Sequence, residues 1–520
     1  MPPVSVRADS GELAIVLHSH MPYVEGFGTW PFGEEWLLEA IASSYLPLLE
    51  VLERHASRGV QAAVTVGVTP VLADQLALPA VGERFLRFMH GTRRECHNED
   101  AAGLERGGQH DAASALRLSG RDYEQAAAAF ERRGGDLLGA LRALRDGGTV
   151  DLWASCATHA VLPLLATDGG VRMQVEAGVA AHAERFGAWS GGFWLPECAY
   201  RPGLEDHLAR AGVSAFCVDQ TRVAGPLDHL QPIATGGAVA LPLDWNTISL
   251  VWDDRGYPAD PVYRDYHAQT VNGMRAWANS GQPYDRELAH ARAREQAAHF
   301  VDQVLRRAAA YRDARGRAAL IVCALDTELL GHWWYEGPVW IDAVIEEAEH
   351  RGLALATLPG ALERHEPRVA DVLQSSWGTD KDLHTWDSPP VADVVWAARR
   401  SELELIAALG AEPSDGARSP ARRAARELLA LQSSDWAFMT SRGLAAEYAR
   451  DRVRNHALAF REALAAMGPS VTDFRPMNGA PHPNGEGNGR RALDEHMRGL
   501  APALELTPLL APSSTWVSES

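Results

Sequence analysis

The chain has 520 residues, enough for two or three domains or one large barrel with insertions, and its 46% hydrophobic content supplies an ordinary globular core. Acidic residues outnumber basic ones, 68 to 49, giving a formal net charge of -19. Such a surface repels nucleic acid and anionic lipid and favours a neutral substrate. No apolar stretch approaches membrane-span length, and Met1–Glu12 lacks the apolar segment of a signal peptide. The five cysteines form no C-x-x-C pair, so neither a zinc ribbon nor a disulfide framework is expected, and the setting that fits is the cytoplasm.

Leu13–Leu17 is a short apolar run and reads as a buried strand. It ends in H-S-H-M-P-Y, His18–Tyr23. Alternate residues of a strand point the same way, so His18 and His20 can share a face. Trp30 follows in the connection. Glu34–His55 has helical spacing, Val60–Val68 is a second strand and Val71–His90 is helical again. This alternation implies a parallel sheet with helical crossovers. From Gly91 to Gly148 no strand candidate occurs, and the spacing of Tyr123, Phe130, Leu137, Leu141 and Leu144 predicts a helical insertion. Val150–Ser155 resumes the alternation and leads into C-A-T-H-A-V-L-P, which carries His159.

A helix over Val171–Phe186 precedes G-F-W-L-P-E-C-A-Y, Gly192–Tyr200, where an apolar run ends in Pro196 and Glu197 follows at once. Pro202–Ala211 is a short helix and Ser214–Val218 a strand. Residues 219 to 284 are less regular; Val251–Pro258 reads as a loop carrying Trp252 and Tyr257 toward a cleft. After a long helix over Asp285–Arg312, the strand Ala319–Leu325 ends in Asp326, followed by Glu328, His332, Trp333, Trp334 and Tyr335. Val339–His350 is a helix and Ala354–Leu358 the last strand. That makes about seven strand–helix units, close to a barrel.

Beyond about His365 strands disappear, and Ala392–Leu409, Ala421–Ser434 and Leu444–Met467 read as helices. Two stretches interrupt them: Ser375–Trp386, with Trp377, and Gln432–Phe438, with Asp435 and Trp436. The expected organisation is a catalytic unit over 1–365 interrupted by the insertion 91–148, a helical domain over 366–469, and a disordered Pro-, Gly- and Asn-rich tail over 470–520.

Two carboxylates, Glu197 and Asp326, thus stand at the C-terminal ends of two strands, where parallel barrels carry their active sites. Cleaving a glycosidic bond takes a pair of carboxyl groups, one to protonate the leaving oxygen and one to meet the oxocarbenium-like carbon. The neighbouring aromatic residues suit stacking on sugar rings, although any single Trp is more often core. Three readings stay open for His18 and His20: metal ligands, donors to sugar hydroxyls, or core-edge histidines. With His159 and Asp326 they also match a metal-dependent amidohydrolase set, a rival that leaves the aromatics unexplained. Asp435 alone reads equally well as a helix cap.

Taken in order, His18–Tyr23, Ala157–Leu165, Phe193–Tyr200 and Asp326–Gly337 resemble the motifs of glycoside hydrolase family 57, and within it those of the 1,4-α-glucan branching enzymes. Ser375–Gly378 and Gln432–Phe438 are similar to that group's C-terminal features, and the likeness runs from about residue 12 to 467. The resemblance implies an α/β fold, an incomplete (β/α)7 barrel with a helical insertion and a C-terminal all-α domain over the cleft. It implies retaining chemistry on an α-1,4-glucan with Glu197 as nucleophile and Asp326 as general acid/base, and no metal or other cofactor. His18, His20 and His159 would hold sugar hydroxyls near the cleavage point, and Trp377, Asp435 and Trp436 would build the acceptor side; Trp30, Trp252, Arg255 and His332 are further candidate substrate-binding residues. One departure stands out: a tyrosine-bearing loop is expected near Thr221–Gly237, and no Tyr occurs there. An α-amylase or 4-α-glucanotransferase on the same scaffold, or a non-catalytic glucan-binding protein, are the alternative expectations.

Overall fold

The structure is a computed structural model that describes residues 11–29, 32–223, 225–409, 418–467 and 509. Trp30 and nearly all of the tail expected to be disordered lie outside the described residues.

Ten strands form one curled sheet. They are β1 (Glu12–Ser19), β2 (Val64–Val68), β3 (Val150–Ser155), β4 (Gly192–Trp194), β5 (Ala215–Val218), β6 (Ile233–Ala234), β7 (Val239–Pro242), β8 (Leu320–Asp326), β9 (Ala354–Leu355) and β10 (Arg368–Val369). The order is β10-β6-β7-β5-β4-β3-β2-β1-β8, with β9 beside the first half of β1. All pairs are parallel except β6 with β7. All eight residues of β1 are buried, as a strand covered on both faces requires. The sheet curls until its far side meets β8: the Asp244 N–H donates to Val322 O (2.8 Å) and the Leu320 N–H to Leu230 O (3.0 Å). This is an incomplete α/β barrel.

Helices cover its outside. The longest, Arg286–Arg315, starts where the Asp285 carboxylate accepts from the Leu288 N–H and stops at Gly316, whose φ of 68° suits glycine. Residues 94–146 hold three helices, Arg94–Arg106, His110–Arg132 and Leu137–Asp146. Ala392–Leu409, Arg418–Leu431, Ser434–Arg442 and Ala446–Ala465 pack together at the mouth of the barrel, with Ser434 itself reaching the barrel's own loops. No helix among the described residues is long and apolar enough to cross a membrane.

Three sequence expectations are corrected. Residues 219–284 contain β6 and β7 and a helix, Trp245–Trp252, so Trp252 ends a helix instead of riding a loop. Strands continue past His365, as β10. The helix expected over Ala421–Ser434 is two, broken between Leu431 and Ser434. Strands of two to four residues, like β6, β7 and β10, are too short to show a period of two.

Candidate active site

β1 and β8 are neighbours in register, with His18 opposite Asp326. β3 and β4 bring His159 and Glu197 to the same end of the sheet. A cavity of about 530 Å³ opens there, lined by His18, His20, His159, Glu197, Asp326 and Asp435 among others. Trp252, His332, Trp333 and Trp377 form its aromatic walls. Trp252 and Trp333 are 43% and 41% exposed with ring centroids 6.2 Å apart, leaving indole faces open to a ligand. His332 and Trp333 are delivered by a sharp turn at Gly331, where φ is 107° and a Cβ would collide with the Ser43 carbonyl.

The backbone is strained around the cavity. Six described non-glycine residues have positive φ, and His159 (61°), Glu197 (59°), Cys198 (46°) and Lys381 (58°) all lie in or beside the site. Each such residue costs on the order of 1 kcal/mol and persists only where its surroundings hold it. Glu197 is held by its own carbonyl, which accepts from the Trp377 N–H (2.7 Å), and by the pairing of Tyr200 with Ser375 (2.9 and 3.2 Å).

The polar groups form two chains. Ser434 Oγ lies 2.8 Å from Glu197 Oε1 and 2.8 Å from His159 Nδ1. His159 Nε2 shares a hydrogen bond of 2.9 Å with His18 Nε2. Beside it, His20 Nε2 donates to Asp435 Oδ2 (2.8 Å) while its Nδ1 lies 3.0 Å from Thr69 Oγ1. The His20 and His159 rings stack at 3.9 Å. Burial, reinforced by neighbouring histidines, pushes His18 and His159 well below the usual imidazole range, so both are neutral near pH 7.

Three carboxyl groups of the cleft are pushed up. Burial, then the charges of Asp326 and Asp435, raises Glu197 to about 8 against the opposing Ser434 hydrogen bond. Burial and Asp435 raise Asp326 to about 7, opposed by His20. Burial raises Glu328 to about 8 although Tyr45 donates to it at 2.5 Å. Asp435 goes the other way, to about 2: burial opposes ionisation, and His20 overcomes it through charge and hydrogen bond. Glu328 and Ser434 were not singled out as site residues from sequence. Glu328 shares the D-T-E stretch with Asp326; Ser434 carried no signal beyond sitting next to Asp435.

Two expected ligand residues are placed elsewhere. Trp436 is fully buried, its Nε1–H donating to Ala430 O (2.8 Å), because successive helix residues turn by about 100° and Asp435 already faces the cavity. Arg255 is exposed and does not line the cavity. Tyr257 and Trp334 are buried in the core as well. Ligand atoms of His20, His159 and Asp435 lie within 4.8 Å of one another, a grouping able to take a cation. Each of these atoms already faces a protein hydrogen-bond partner, so a cation would have to displace the His20–Asp435 bond.

A curled parallel sheet with two carboxyl groups in an aromatic-walled cleft defines a carbohydrate-active α/β enzyme architecture. The chain belongs to glycosyl hydrolase family 57, whose model matches residues 14–374. A second model, that of the 1,4-alpha-glucan branching enzyme C-terminal region, matches residues 398–474. A 1,4-alpha-glucan branching enzyme of Thermococcus kodakarensis is 33% identical over 496 residues, spanning 86% of this chain and 73% of that protein. The crystal structure of a branching enzyme of this family from Pyrococcus horikoshii superposes with a TM-score of 0.87 at 31% identity, covering 96% of this chain and 97% of that one. The alpha-amylase AmyC from Thermotoga maritima superposes with a TM-score of 0.80 at 23% identity, covering 96% and 99%, so an amylase shares the fold.

Proposed function

We propose that this family 57 protein is a 1,4-α-glucan branching enzyme, acting through Glu197 as nucleophile and Asp326 as general acid/base. The observation that carries the assignment of roles is the directed hydrogen-bond chain that ends on Glu197. An ionised carboxylate only accepts, so the Ser434 hydroxyl donates to Glu197. Ser434 Oγ then accepts from His159 Nδ1–H, and His159 Nε2 accepts from His18 Nε2–H. Every dipole points at Glu197 and stabilises its anion. Burial holds Glu197 at about 8 and Asp326 at about 7, so near neutral pH the proton rests mainly on Glu197; the first step needs it on Asp326, and the Ser434 hydrogen bond lowers the cost of ionising Glu197.

In the first step Asp326 gives its proton to the glycosidic oxygen as the bond from that oxygen to C1 breaks. A Glu197 carboxylate oxygen forms a bond to C1, and the glucan beyond the cut departs with a free 4-hydroxyl. In the second step the Asp326 carboxylate takes the proton from the 6-hydroxyl of an acceptor chain. That oxygen attacks C1, the ester to Glu197 breaks, and an α-1,6 branch results with the anomeric configuration retained. Water is the competing acceptor, and the indole walls that exclude it favour transfer.

The neutral α-1,4-glucan suits an acidic protein, and the cytoplasm is its proposed setting. Residues 1–365 act as the catalytic unit, and the segment after 365 supplies Trp377, Ser434 and Asp435 to the cleft. Because the fold is shared with an amylase, product linkage decides between branching, hydrolysis and α-1,4 transfer. A second reading follows from the grouping of His20, His159 and Asp435: a metal-dependent hydrolase would lose activity with a chelator, whereas the proposed chemistry survives it. The test of the main reading is amylose incubated with the enzyme, scored for new α-1,6 linkages.

A further inference from the structure

Lys381 is the only lysine in a chain with 49 basic residues. Every other cationic side chain is arginine, so this position asks for what an ammonium does and a guanidinium does not. Lys381 lies four residues after Trp377, in a tight loop whose backbone it closes: its N–H donates to Gly378 O (2.9 Å), and its carbonyl accepts from the Ser376 N–H (3.2 Å). Its φ of 58° is in the left-handed region that a long side chain rarely adopts.

The side chain leaves the loop and crosses to the barrel. Nζ lies 2.8 Å from Oδ2 of Asp219, a fully buried carboxylate just past the end of β5. It also lies 3.2 Å from the ring centroid of Trp245, over the indole face. A compact ammonium meets the carboxylate and the indole face at once, whereas a planar guanidinium would have to choose between pairing edge-on with the carboxylate and stacking on the ring. Trp245 begins the helix that ends in Trp252, and Trp245, Trp252, Trp377 and Gly378 all line the cleft. Lys381 therefore ties one cleft wall, the Trp377 loop, to the other, the Trp252 helix. Two arginines also tether this loop, Arg222 to the Asp380 carbonyl (2.8 Å) and Arg442, itself a cavity-lining residue, to Thr379 Oγ1 (2.6 Å).

We propose that Lys381 is a positioning residue that fixes the distance between the two aromatic walls and so sets how much of the glycosyl-enzyme goes to a sugar hydroxyl instead of water. The part concerning transfer rests on the branching reading; the brace itself does not. Without the ammonium, Asp219 is left as a buried charge without its cation, and the loop keeps its backbone bonds to Glu197 and Tyr200 and its two arginine tethers but loses its tie to the Trp245 helix. Water then reaches the ester more easily.

Lys381→Met keeps the stem and removes the charge; Lys381→Arg keeps the charge in the wrong shape. On amylose, Lys381→Met is expected to lower the ratio of new α-1,6 linkages to new reducing ends by about fivefold, and Lys381→Arg by less. In parallel, hydrogen exchange on the glucan-free proteins should rise in Lys381→Met within residues 375–386 and 245–252 and stay as in the wild type elsewhere. An unchanged product ratio in Lys381→Met overturns the role in transfer, and so does an arginine variant no better than the methionine one. Unchanged exchange in those segments overturns the brace. If the wild type forms no branches while exchange rises locally in Lys381→Met, the branching reading fails and the brace stands.

Discussion

Ser434 Oγ lies 2.8 Å from Glu197 Oε1, although the two residues are 237 positions apart and sit on different parts of the fold. A hydroxyl at the start of the helix Ser434–Arg442 thus contacts one of the two central carboxyl groups directly. Ser434 also lies 2.8 Å from His159, which makes it the junction between the helical region and the barrel's histidines.

Ser434→Ala removes the bond that opposes the upward shift of Glu197. The Glu197 carboxyl, already raised to about 8, moves further up. A nucleophile must be ionised to attack, so the acidic limb of the pH–rate profile should move to higher pH, and kcat at pH 7 should fall by about tenfold. A profile that keeps its shape would show that Ser434 only packs there.

Glu197→Gln should abolish turnover, by at least about 10³-fold, while amylose still binds. Asp326→Asn should do the same on amylose but retain cleavage of a 4-nitrophenyl maltooligoside, whose leaving group needs no proton. Comparable losses of Asp326→Asn on both substrates would remove Asp326 from the acid role.

Glu197, Asp326 and Glu328 also make stability depend on pH. Their folded values lie above the ordinary carboxyl range, at about 8, 7 and 8, so the folded protein binds these protons more tightly than the unfolded chain. Their stabilisation is full below about pH 4 and is lost as pH rises through 7 to 8. Glu197→Gln and Glu328→Gln should therefore lose less Tm than the wild type between pH 5 and 9, measured by calorimetry, with pH values chosen about the usual carboxyl and the shifted values. Asp435, lowered to about 2, acts in a separate window, its contribution present above about pH 4 and lost as pH falls toward 2.

Arg452 is buried and joins the first motif to the helical region. It donates to the Tyr23 carbonyl (2.5 Å) and to Tyr448 Oη (3.0 Å), lies 2.8 Å from His456 Nε2, and stacks over Phe27 at 3.5 Å. Arg452→Leu should cost about 3 kcal/mol and lower Tm, because it leaves buried acceptors without donors. A Tm within a degree of wild type, on the order of the measurement error, would contradict this.

Much of the site was legible in the sequence because strand ends are legible. Glu197 and Asp326 follow apolar runs that stop abruptly, and the histidines follow two more. The rest depends on packing that no local pattern carries. Trp436 looked like Trp377 in sequence, yet one faces the core and the other the cavity, a difference of helix phase against loop direction. Ser434 acquires its role only when its helix docks on Glu197. Helix Trp245–Trp252 hid in an irregular stretch because its burial is decided by β8 and the long helix behind it, and Arg255 just beyond it points to solvent.

The central claim is that a glycosyl group held on Glu197 passes to a sugar 6-hydroxyl. The most direct measurement follows purified protein on amylose, with reducing ends and α-1,6 linkages quantified together by NMR. The account predicts α-1,6 linkages that accumulate while reducing ends scarcely rise, in the wild type and not in Glu197→Gln. Reducing ends that rise without new α-1,6 linkages would contradict it and make this family 57 protein a hydrolase.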